Sequence, residues 1–117
     1  MYAQSFKELL VWQKSISLVE KIYLITEKFP KDETYILTSQ IKRSAISIPA
    51  NIAEGYKRRS TGQYKYFLAV SSGSVAELET HIIIAEKLYK NIDFADIKNN
   101  IDEVQKMLTS FTRKLRI

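Results

Sequence analysis

The chain contains no cysteine, so neither a disulfide framework nor thiolate chemistry is open to it. That suits a reducing cytosol, and a cytoplasmic location is the expectation. Three glycines and two prolines are too little material for a turn-rich β fold. The glycines are scattered, so there is no Gly-rich loop to cradle a phosphate. One histidine, His81, cannot supply the ligand sets of zinc. Nor can it supply the two Glu-x-x-His motifs of a di-iron bundle, and Glu77 precedes it by four positions. A nucleophilic serine needs a base within hydrogen-bonding reach, and nothing in the sequence brings His81 to Ser74 or Ser110. Glu77 and Glu79 read as a charged helix face. No catalytic residue, cofactor or metal is therefore expected, and the chain reads as non-enzymatic. The first residues lack the charged-then-apolar layout of a signal peptide. No apolar run approaches membrane-spanning length, so no membrane partner is expected.

What the chain does have is helical period. Hydrophobic residues make up 45% of 117 positions, enough for one domain, 1–117, with a sizeable core. Ser5 and Glu8 have the spacing of a capping box. Leu9, Trp12, Ile16, Val19, Tyr23 and Thr26 then recur at helical spacing, and Val11, Ser15, Leu18, Ile22, Ile25 and Phe29 recur one register over. Two apolar seams on one helix exceed what a single bundle interior needs, which points to self-association. Phe29-Pro30 ends that helix. Asp32 or Thr34 is the expected cap of the next one. Ile41, Ala45, Ile48 and Ile52 share a face of the second helix on both sides of Pro49. Because the period resumes in phase, this helix should bend at the proline and continue, with Ser44 and Ser47 serving the freed carbonyls. Asn51 and Glu54 should be partly buried with polar partners, and Gly55 is a candidate C-cap.

In the third helix Tyr64, Leu68, Ser71, Val75, Leu78, Ile82, Ala85 and Tyr89 form a clean seam. Small residues from Ser71 to Ala76 should let the second helix approach closely. Ile97, Ile101, Val104, Leu108, Phe111 and Leu115 mark the fourth. The spans are 5–28, 34–57, 62–90 and 94–115. Short connections make sequential neighbours antiparallel, so the expected fold is all-α, an antiparallel up-down-up-down four-helix bundle.

The formal net charge is +5, a mild bias toward anionic partners. Arg43, Lys57, Arg58, Arg59 and Lys65 lie near the second connection or on the helices flanking it, and Arg113, Lys114 and Arg116 add charge at the C-terminus. Tyr56, Tyr64 and Tyr66 lie among them, and aromatic rings beside cations suit single-stranded nucleic acid. The competing reading is a solvated helix end whose cations complement the helix dipole.

One family resemblance runs through these residues. Leu10-Val11-Trp12-Gln13-Lys14 with Phe29-Pro30, Leu37-Thr38-Ser39-Gln40-Ile41 continuing through Ser47-Ile48-Pro49-Ala50-Asn51-Ile52-Ala53-Glu54-Gly55, and Gly73-Ser74-Val75-Ala76-Glu77-Leu78-Glu79-Thr80 carry it. They resemble the four-helix-bundle proteins named for open reading frames in 23S ribosomal RNA intervening sequences, also labelled S23 ribosomal proteins. The run from Ser47 to Gly55, with Pro49, Asn51 and Glu54 inside it, is the specific part. The resemblance implies a homopentamer of antiparallel bundles with a central channel. It extends to the accessory variability determinant of diversity-generating retroelements, which implies RNA or DNA and a reverse transcriptase as partners. It brings no catalytic residues. Two functions stand open: a basic oligomer that binds nucleic acid or serves another enzyme, and a structural protein-interaction module with no nucleic-acid role.

Overall fold

Apolar residues at steps of three and four make the chain helical almost throughout. The computed structural model describes residues 4–115, which form four α-helices and no strand. They are α1 (Leu10–Thr26), α2 (Leu37–Tyr56), α3 (Thr61–Leu88) and α4 (Ala95–Lys114). Two 3₁₀ turns, Phe6–Glu8 and Lys31–Glu33, precede α1 and α2.

The helix ends differ from the expected spans for local reasons. Ser5 and Glu8 do form a capping box, but it closes the first 3₁₀ turn, and extended backbone at Leu9 delays α1 to Leu10. Neither Asp32 nor Thr34 caps α2. The second 3₁₀ turn takes up those residues, and the Glu33 carboxylate accepts from the Leu37 amide at 3.5 Å. Ser60 caps α3 by accepting from the Gln63 amide at 3.1 Å, satisfying one of the amides left over at a helix start.

α1 packs on α2 and α4, and α3 packs on the same two helices, so the four surround one core. The molecule measures 45 × 23 × 20 Å. In α1 the seam from Val11 to Phe29 faces inward. The other α1 seam is half-buried against the edge of the same core through Leu9, Trp12 and Val19, so the bundle itself absorbs much of it.

Pro49 lies inside a continuous α2. Ile41, Ala45, Ile48 and Ile52 are fully buried on either side of it. Burying an isoleucine contributes about 1.5–3 kcal/mol, so the pair Ile48 and Ile52 offsets the cost of about 3 kcal/mol that an interior proline imposes. Ser44 does not serve the carbonyl freed by the proline; its hydroxyl lies 3.1 Å from the carbonyls of both Gln40 and Ile41.

The small residues of α3 divide between three directions. Ser71, fully buried, donates to the Ile48 carbonyl at 2.9 Å. Asn51 Nδ2 donates to Ser47 Oγ at 2.9 Å, Ser47 Oγ lies 2.8 Å from Ser74 Oγ, and Ser74 donates to the Val70 carbonyl at 3.2 Å. Ser72 turns the other way and donates to Gln105 Oε1 on α4 at 2.8 Å. Gly73 and Ala76 face outward.

Gly55 is not a C-cap. The helix runs past it to Tyr56, and its φ is not positive. A Cβ at Gly55 would stand 3.0 Å from Phe67 Cβ, 3.0 Å from Tyr64 Cδ1 and 3.2 Å from the Tyr64 carbonyl oxygen. The glycine is there because α3 crosses α2 too closely for a side chain. Asn51 is half-buried, as expected of it, but Glu54 is exposed and ion-paired with Arg58 at 2.8 Å, one helical turn on. At position 54 the α2 surface already faces water, which is why the carboxylate needs no buried partner.

Candidate nucleic-acid interface

One end of the molecule gathers the C-terminus of α2, the N-terminus of α3, the C-terminus of α4 and the turn before α1. An aromatic chain ties these together. Phe6 meets Trp12 at 5.4 Å and Tyr56 at 6.3 Å; Tyr56 meets Tyr64 at 6.3 Å; Tyr64 meets Phe111 at 5.8 Å, all edge to face. Such pairs add about 0.5–1.5 kcal/mol each beyond their burial, so this end is rigid. Tyr64 lies so deep that its hydroxyl has neither solvent contact nor a hydrogen-bond partner. Burial, with a smaller contribution from Tyr56, pushes its pKa up to about 12. Tyr56 and Tyr64 are therefore packing residues, with their faces taken up by other rings. Of the three tyrosines considered for stacking on bases, only Tyr66 is exposed, and it lies on the outer side of α3.

Cations gather at the same end. Lys57 and Arg59 are exposed in the connection between α2 and α3. Lys65 lines a groove of about 470 Å³ between α3 and α4, with Arg113 and the hydroxyl-bearing Thr109 and Thr112. Lys114 borders a second groove, about 350 Å³, between the start of α1 and α4. None of these five forms an ion pair among the described residues. Arg58 differs, because its guanidinium is held by Glu54 and lies 4.6 Å from the centre of the Phe67 ring. Two carboxylates at this end are engaged, Glu54 by Arg58 and Glu8 by the backbone amides of Gln4 and Ser5. The outcome is a local surplus of positive charge.

The structure brings Lys57, Arg58, Arg59 and Lys65 together and leaves Arg43 apart. Arg43 is fourteen residues before Lys57 on α2, about 21 Å along the axis at 1.5 Å per residue. Arg113 and Lys114 belong with the group. Their signal was the basic run in the last turn of α4, and the packing of α3 on α4, with Lys65 and Arg113 lining one groove, places it beside Lys65. Arg116 lies outside the described residues. No cluster of three or more metal-ligating side chains occurs among the described residues. His81 is half-buried on α3, and Ser74 is committed to Ser47 and Val70.

The model of the 23S rRNA-intervening sequence protein family matches residues 7–110, which is most of the chain. The chain belongs to that family. No curated protein matches it. Among solved structures it is similar to a protein of unknown function from the S23 ribosomal protein family of Bacteroides thetaiotaomicron, with a TM-score of 0.81 and 23% identity. The match covers 90% of this chain and all of that one. At that identity the likeness shows a shared fold. The family's description names no reaction, and the structural relative's function is stated as unknown.

Proposed function

We propose that this family member is a non-enzymatic, cytoplasmic oligomer, a pentamer of single-domain bundles, whose basic end binds nucleic-acid phosphates without sequence preference. The proposed topology is up-down-up-down. In every neighbouring pair, contacts run in opposite order along the two segments. Phe6 meets Tyr56 and Tyr23 meets Lys42; Ser47 meets Ser74 and Gly55 meets Tyr64; Tyr64 meets Phe111 and Glu86 meets Lys98; Lys14 meets Glu103 and Lys21 meets Asp96.

The observation that supports binding is the surplus at one end: five cations that form no ion pair among the described residues, beside a chain of packed aromatic rings, with Glu54 and Glu8 both engaged. A cyclic oligomer repeats that end once per subunit, and multivalency raises avidity without new local contacts. Salt dependence follows, because each phosphate neutralised releases counterions. A reverse transcriptase or a similar nucleic-acid enzyme is the proposed client of such an accessory.

The test is a titration of structured RNA at low and moderate salt with wild type and Lys57→Glu/Arg59→Glu. Helicity is checked by circular dichroism. Binding at low salt that the double variant loses supports the reading. Absence of binding at low salt, or equal binding by the variant, leaves the second reading, a protein-interaction module. What favours that second reading is the apolar outer face of α3.

A further inference from the structure

α3 carries two seams. The inward one packs the core. A second, Gly62, Tyr66, Ala69, Gly73, Ala76, Thr80 and Ile83, repeats at the same spacing on the opposite side and holds no charge until Lys87 in the last turn. Tyr66 is 63% exposed, Ile83 40% and Ile84 42%. A helix apolar on both sides normally has neighbours on both sides. Gly73 adds to this. A mid-helix glycine costs about 1 kcal/mol relative to alanine, yet a Cβ there would meet nothing within 4 Å. Nothing within the protomer requires that glycine, in contrast with Gly55.

α2 presents a shorter face of the same kind. Ser39, Arg43, Ile46, Ala50 and Ala53 follow one another outward, and Ile46 is 46% exposed. The α2 face spans about 21 Å and the α3 face from Tyr66 to Ile83 about 25 Å, so their lengths match. The charges nearest the middle of the two faces are opposite. Glu77 and Glu79 border the α3 face on its two sides and form no ion pair among the described residues; Arg43 on the α2 face forms none either.

We infer that these are the two halves of one contact between copies of this chain: the outer face of α3 packs on the outer face of α2 of the next copy, with Glu77 and Glu79 set against Arg43. This rests on the proposal that the protein is an oligomer and names the surfaces that make it one. The midpoint carboxylates argue against nucleic acid and against a membrane as the occupant. They repel a phosphate backbone, and they make α3 a poor membrane span although its length and a mean hydropathy of 1.2 over its most apolar stretch would allow one. Two different surfaces in contact make the interface heterologous, which closes into a ring when the rotation permits. Arg43, distant from the basic end, acquires a role there.

The experiment is light scattering over a concentration series, with circular dichroism to verify folding. Wild type is compared with Ala76→Arg, with Arg43→Glu, with Glu77→Arg/Glu79→Arg, and with the last two combined. The first three variants are expected to raise the concentration needed for assembly at least about 30-fold, the size of a hot-spot loss. The combined charge swap is expected to recover much of it. A wild type that stays monomeric would sink the oligomer proposal and this one with it. A wild type that assembles, with Ala76→Arg and Arg43→Glu assembling equally well, would overturn this interface alone. Disruption by Ala76→Arg but not by Arg43→Glu would overturn the pairing of α3 with α2.

Discussion

Alanine in place of Gly55 tests the closeness of α2 and α3 with a single methyl group. The helix itself should welcome the change, since alanine is about 1 kcal/mol better than glycine in a helix interior. The surroundings should not. The new Cβ would stand 3.0 Å from both Phe67 Cβ and Tyr64 Cδ1, and 3.2 Å from the Tyr64 carbonyl oxygen. One of those atoms is backbone and one is a Cβ, so neither yields by a rotamer change. Overpacking of this kind costs about 1–3 kcal/mol. The sum is a net loss of about 1 kcal/mol, which lowers Tm by roughly 4–8 °C in a domain of this size. The assay is urea or thermal unfolding at one fixed protein concentration, because an oligomer's stability depends on concentration. Gly62→Ala is the control, since a Cβ there meets nothing within 4 Å. It should be neutral or slightly stabilising. If Gly55→Ala is as stable as Gly62→Ala, the close-approach explanation of this glycine is wrong.

Three further outcomes follow from the same contacts. Ser71→Ala removes the hydroxyl that donates to the buried Ile48 carbonyl and should cost about 1 kcal/mol in denaturant titration; no change would mean that the bond contributes nothing net. Asn51→Leu breaks the chain through Ser47 to Ser74 and should cost a similar amount, read in the same titration. Tyr64 is held neutral when folded, its pKa pushed to about 12 against 10.0 for an ordinary tyrosine. Its contribution is complete below pH 10 and is lost as pH climbs toward 12, so stability should fall across that window. Tyr64→Phe should flatten the fall and, by removing an unpartnered buried hydroxyl, be at least as stable as wild type at neutral pH.

The four helices were legible because their core seams repeat without interruption, and the continuity of α2 through Pro49 was legible because Ile52 keeps the phase of Ile48. Local competition hid the rest. Capping signals at Ser5 and Asp32 look alike whether they open an α-helix or a 3₁₀ turn. Glycine near a helix end reads equally as a cap or as a helical residue unless the crossing helix is known, so the sequence left both open at Gly55 while the span to 57 carried the helix past it. Glu54 was expected to be partly buried because it lies beside the apolar stripe, but two residues beyond Ile52 the helix surface has turned from core to solvent. For the basic end, the run Lys57-Arg58-Arg59 was plain in sequence. That Arg58 is neutralised by Glu54, that Arg43 stands apart, and that Arg113 joins Lys65 are facts of packing. The outer seam of α3 has the same spacing as the inner one and was masked by it: once Tyr64 to Tyr89 accounts for the helix, Tyr66 to Ile83 passes as surface.

The central claim is that cations at one end, multiplied by assembly, hold nucleic acid. The most direct measurement is the dependence of affinity on salt, using a single-stranded RNA of fixed length. Each phosphate neutralised on a single strand contributes about 0.7 to the slope of log K against log salt, so the five cations of one protomer give no more than about −3.5. A slope steeper than that, reduced by Lys57→Glu/Arg59→Glu, is the expected result. A slope near zero, or one that the double variant leaves unchanged, would contradict the account.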